Sequence, residues 1–122
     1  MDHTAFNQLV AEALDTVPAE FARYLHNVSV VVEAEPSVEQ LQALGLDPQR
    51  HTLFGLYQGV PLSARSHLFT GALPDKITIY QGPLERMFDT PAMLREQVRR
   101  TIVHEIAHFF GLKESKIRKL GY

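Results

Sequence analysis

Between Thr90 and Phe110 the chain carries two neighbouring stripes at helical spacing. Leu94, Val98, Ile102 and Ile106 recur every fourth residue with Phe109 on the same arc, and Gln97, Thr101, His104 and His108 line up beside them. Residues four apart stand one turn above the other on a helix, so the segment predicts one long helix with an apolar face and a polar face next to it. Asp89 or Thr90 can cap its start, and Pro91 suits the first helical position, where no backbone donor is needed. The apolar arc must bury against a sheet, which leaves the histidine stripe looking into a cleft beside that contact. Arg95, Arg99 and Arg100 fall on the solvated side.

The stripe contains His104-Glu105-Ile106-Ala107-His108, the HExxH arrangement. Two imidazoles one turn apart can close on one zinc ion, with the intervening glutamate alongside. A carboxylate in that place can take a proton from a water whose pKa zinc has lowered to about 7. Catalytic zinc usually has three protein ligands and one open position. Gly111 is suited to end the helix in the left-handed conformation and turn the chain back. Glu114 then stands where the metzincin pattern HExxHxxGxxH has its third histidine. A carboxylate also ligates zinc, so the expected set is His104, His108 and Glu114, with Glu105 as general base. The bland reading of Glu114 is a solvated residue beside Lys113 and Lys116.

Composition narrows the classes. A length of 122 residues fits one domain, and 45 % apolar with 21 % charged residues is ordinary for a soluble globular chain. No apolar run is long enough to span a membrane. Without cysteine, disulfides and thiolate zinc ligands are excluded, leaving histidine and carboxylate chemistry. The start, Met1-Asp2-His3-Thr4, lacks the basic and apolar stretch of a secretory signal, so the expected location is cytoplasmic. A net charge of −2 argues against nucleic acid as partner. Residues 1–60 hold two basic and eight acidic side chains, residues 86–119 eight basic and four acidic. Compensation between the halves is the simplest reading, and a basic rim that attracts acidic peptides is the alternative.

Helical spacing runs over residues 4–15, and Pro18 to Tyr24 reads as a second short helix. The β-branched run Val28–Val32 predicts a buried strand. Pro36-Ser37 opens a short helix through Leu44, which Gly45 closes. Leu53–Gln58 predicts a second strand and Ile77–Gln81 a third that ends at Gly82-Pro83. Ile77–Gln81 is either an interior strand or an exposed edge to which a peptide adds by main-chain hydrogen bonds. Ile117 and Leu120 anchor a last short helix. Val60 to Asp75 has loop composition and either borders the cleft or is a plain surface connection; within it His67 reads as a solvent-exposed loop histidine, with an oxyanion donor as the alternative for it and for Tyr80. His3, His26 and His51 have no ligand spacing.

From Leu53 onward, the runs FGLYQGVPLSARS, LPDKITIYQGPL and LREQVRRTIVHEIAHFFGL resemble the bacterial zincin-like minimal metallopeptidase family, whose signature is HExxHxxGxx followed by aspartate or glutamate. The resemblance implies an α+β fold with a small mixed sheet packed on the long C-terminal active-site helix, within one domain over 1–122. It also implies zinc on His104, His108 and Glu114, Glu105 as base, and a peptide or protein substrate. Many relatives have aspartate where this chain has Glu114, and only eleven residues follow Gly111, too few for the methionine turn of metzincins. Two rivals stand beside a peptidase. One is a zinc-binding module of weak or no catalysis, in keeping with the lack of an assigned oxyanion donor. The other is a closed structural zinc, which needs a fourth ligand that no well-spaced residue supplies.

Overall fold

The computed structural model describes residues 1–59 and 74–122. Asp2 caps the first helix, α1 (His3–Leu14), by accepting from the Ala5 N–H at 2.7 Å. Pro18 then opens α2 (Ala19–Ala22), which tightens into a 3-10 turn over Arg23–Leu25. Strand β1 (Val28–Glu33) is followed by α3 (Val38–Ala43), whose start is fixed by a reciprocal pair of bonds between Ser37 and Gln40. Strands β2 (Gly55–Gln58) and β3 (Asp75–Tyr80) lead into α4 (Gln81–Met87), α5 (Pro91–Phe109) and α6 (Glu114–Lys119).

Among the described residues the sheet has three strands in the order β1-β3-β2. β1 runs parallel to β3, with Val30 opposite Ile77, and β2 runs antiparallel to it, with Tyr57 opposite Ile77. The sheet is therefore mixed and β3 is its centre, so Ile77–Gln81 is an interior strand and not the edge; among the described residues β2 is an end strand. β1 lies at the other end and is half-buried where a buried strand was expected, because only one neighbour covers it. Alternation along β3 sends Ile77 and Ile79 into the core and turns Thr78 and Tyr80 to the other face.

Helix α5 lies across the core face of this sheet, with α1 packed against it. Leu94, Val98, Ile102 and Ile106 are buried as the spacing requires, joined by Val103 and Ala107, against Phe6, Leu9 and Val10 of α1 and Ile77 and Ile79 of β3. Thr90 caps the helix through the Met93 N–H. Phe109 departs from the expected arc and is 48 % exposed. The last turn of α5 reaches the end of β2, and there the Phe109 ring stacks on Tyr57 at 4.0 Å instead of entering the core.

The Gly82-Pro83 pair opens α4 directly after β3, so Gln81 is the first residue of a helix, not the last of a strand. Pro83 occupies the first turn, where the missing N–H has no helical partner to lose. Charges of the two halves meet across the surface, Arg95 with Glu12 at 3.4 Å and Arg86 with Glu35 at 2.8 Å. No helix among the described residues is long and apolar enough to cross a membrane. The architecture is α+β, a small mixed sheet carried on a long helix.

Candidate active site

His104, Glu105 and His108 project from the second half of α5 into a cleft of about 300 Å³, walled opposite by Phe54 and Gly55 and floored by Thr101. The imidazole of His104 is partly covered and that of His108 exposed, with ring centroids 6.2 Å apart. After Phe110 the backbone closes in a Schellman turn: Gly111 adopts φ +67°, its N–H reaches the His108 carbonyl, and the Leu112 N–H donates to the Ala107 carbonyl at 2.8 Å. This turn seats Leu112 on the core and starts α6 at Glu114. Glu114 is thereby brought back to the stripe, Oε1 lying 3.5 Å from Nε2 of His108.

Glu105 sits between the polar stripe and the apolar arc, on the side of α5 that faces β2. Its Oε1 accepts the main-chain N–H of Tyr57 at 2.9 Å. The Tyr57 N–H therefore points away from β3, and the glutamate lies along the outer edge of the end strand. Burial raises the Glu105 carboxyl above the ordinary carboxylate range, opposed by the Tyr57 N–H bond and by the fields of His108 and His104. Such a carboxylate is a better proton acceptor than a solvated one.

Gly55 makes this contact available. A Cβ there would stand 2.7 Å from Thr101 Cγ2 and 3.0 Å from the Thr78 carbonyl, so only glycine lets β2 approach α5 this closely. Tyr57 is fixed from its other end, its hydroxyl donating to Asp75 Oδ2 at 2.7 Å. Gly55, Tyr57 and Asp75 have no place in the motif, and sequence reasoning does not single them out. The one signal for them is a glycine inside the apolar run Leu53–Tyr57, which marks a close backbone approach.

The donor set can be tested against zinc. Two donors about 2.1 Å from a tetrahedral ion stand about 3.4 Å apart. The 3.5 Å between His108 and Glu114 matches that separation. Imidazoles sharing such an ion have centroids about 5 Å apart. The 6.2 Å between His104 and His108 is wider, and no three His, Asp or Glu side chains among the described residues converge into a complete metal-holding group. In donor chemistry and in the His108–Glu114 spacing the residues fit zinc; His104 would have to turn inward.

Of the other expectations, His67 lies outside the described residues, as does nearly all of the Val60–Asp75 segment. Tyr80 is fully buried and its hydroxyl donates to Gln40 Oε1 at 3.1 Å, away from the cleft. His51 accepts from the Asp47 N–H and takes no part in the site.

A paired-histidine helix, a glutamate on the edge of a small sheet and a carboxylate returned by a glycine turn are the features of the zincin class. The chain belongs to the zincin-like metallopeptidase family, which matches residues 25–122. In fold it is similar to a conserved hypothetical protein from Thermus thermophilus at 25 % identity, with a TM-score of 0.55 over 90 % of this chain and 94 % of that one. None of the curated proteins matches it.

Proposed function

We propose that this chain is a single-domain zinc-dependent peptidase, with His104, His108 and Glu114 as ligands and Glu105 as general base. The observation that carries the reading is the Glu105 carboxylate, held between the two histidines and the outer edge of β2 by the Tyr57 N–H at 2.9 Å. A zinc ion held there would acidify a water to a pKa of about 7 and polarise the carbonyl it attacks. Glu105 is held where it would take a proton from an attacking water and return it to the leaving amine. A peptide laid along the outer edge of β2 passes directly over the glutamate, and Gly55 keeps the wall low there. His104 and His108 orient by rotation on α5, whose buried arc holds their backbone still. The substrate is thus a peptide or protein segment in extended form, and the protein acts in the cytoplasm without nucleic acid or membrane as partner.

A second reading is a zinc-binding module with weak or no catalysis. It is favoured by one observation: among the described residues lining the cleft, no tyrosine, arginine or further histidine is available to an oxyanion. Metal content and hydrolysis of a mixed peptide library, measured on wild type and Glu105→Ala in parallel, decide between the two. About one zinc on each protein with cleavage by wild type alone supports the peptidase. Zinc on both with cleavage by neither supports the binding module, and no zinc on wild type after loading overturns both readings.

A further inference from the structure

Along α5, away from the histidines, the cleft borders on a neighbour at Gln97. A second depression of about 390 Å³ opens there, formed by Phe88, Ala92, Met93 and Arg100, and Gln97 lines both. The two are also joined through their walls, since Phe54 of the candidate active site packs edge-on against Phe88 at 5.7 Å. Gln97, which lines both, donates to Thr101 of the candidate active site at 3.2 Å. The outer depression is mainly apolar, and it is open: Met93 is 46 % exposed. Its rim carries the Glu96 carboxylate shared by Arg99 at 2.7 Å and Arg100 at 3.1 Å, two cations to one anion.

We infer that this outer depression is a subsite of the same groove and binds an apolar side chain of the peptide about three to five residues from the reacting bond. The spacing follows from geometry: Gln97 and Met93 precede His104 by seven and eleven residues, about 10 and 16 Å of helix, and an extended peptide advances about 3.3 Å per residue. The occupant is the substrate because the depression adjoins, across Gln97 and the Phe54–Phe88 contact, the cleft in which the bond would lie; the inference rests on the peptidase reading for that orientation. The excess of arginine at the rim disfavours lysine or arginine next to the apolar residue. An enzyme built this way recognises an extended segment and not a dipeptide.

The test uses acetylated, amidated decapeptides of alanine and serine in which one leucine is walked through the positions. With zinc-loaded wild type, cleavage should fall at a constant spacing from the leucine. The preference for leucine over alanine in kcat/KM should drop about tenfold in Met93→Glu and persist in Met93→Leu. Cleavage at no fixed spacing, or an unchanged preference in Met93→Glu, overturns the subsite. If no peptide is cleaved the peptidase reading fails, and the groove is then judged by 15N NMR of Glu105→Gln. Shifts of the Ala92, Met93 and Gln97 amides with leucine peptides, absent with leucine-free ones, sustain it; no shift overturns it. A dimer that Met93→Glu dissolves also overturns it, by giving the patch to a second copy of the chain.

Discussion

Glu105 and Glu114 flank the same histidine, and the molecule holds them in different ways. Glu105 stands in the second half of α5, with a buried arc behind it and the Tyr57 N–H in front, so the sheet and the helix both fix its position. Glu114 is exposed, begins a helix of six residues, and reaches His108 because the Gly111 turn points it there. The proposed base is built into the tertiary structure, while the proposed third ligand hangs on local backbone geometry. A site arranged so can keep its base in register without metal and complete its ligand set when metal arrives.

The largest effect should come from the rigid side. Glu105→Gln keeps the shape and the acceptor for Tyr57 but removes the base, and hydrolysis should fall by roughly 10²–10⁴. Zinc content, measured by mass spectrometry of the intact protein, should stay the same. Lost zinc would mean that Glu105 belongs with the ligands and that base and ligand are not held by separate means.

Gly55→Val comes next. The added branch meets Thr101 and the Thr78 carbonyl, so β2 must withdraw from α5 or the helix must shift. Overpacking of this kind costs about 1–3 kcal/mol, read as a lower midpoint in urea. The Tyr57–Glu105 bond should lengthen with it, giving a fall in activity beyond what the folded fraction explains.

On the loose side, Gly111→Ala places a Cβ at φ +67° with open space around it. The cost is conformational, about 1–2 kcal/mol, and not steric. The sharper readout is metal: zinc should bind more weakly while Glu105 and Tyr57 keep their contact, seen in their unshifted amide resonances. Equal damage to both carboxylates would show that the turn and the strand edge act as one unit.

One side of this comparison is far more legible in the sequence than the other. Spacing alone places α5 and the His104–His108 pair and narrows the cap to Asp89 or Thr90, because these are local and repeat every turn. The Gly111 turn is also readable, since a left-handed residue has a residue-type signature. The bond between Tyr57 and Glu105 is not, for it joins positions 48 apart through a main-chain group that nearly every residue carries. Strand order is hidden for a similar reason: Val28–Val32 and Ile77–Gln81 both look fit for the interior, and only pairing across the chain makes β3 central and leaves β1 half covered. Gly82-Pro83 is ambiguous in kind, as the pair that stops a strand is equally able to start a helix.

The smallest effect tests whether surface charge helps hold α5 under both carboxylates. Glu96 accepts from Arg99 and lies against Arg100, and its carboxyl is held below the ordinary 4.5, first by the Arg99 hydrogen bond. A depressed folded-state value means stability that is present above pH 4.5 and lost as pH falls through the lower, folded value. All three side chains are partly exposed, so screening limits the gain to about 0.5 kcal/mol. Glu96→Gln should therefore lower the midpoint in urea slightly at pH 7 and at low salt, and the difference from wild type should shrink at about 1 M salt and vanish in acid. Since Arg99 also donates to Tyr122 at 2.7 Å, whose ring packs against Phe21, a larger loss would mean that the pair holds the C-terminal residues down on α5. In that case the turn carrying Glu114 is braced from behind, and the looseness of the ligand side would lie in its side chains and not in its backbone.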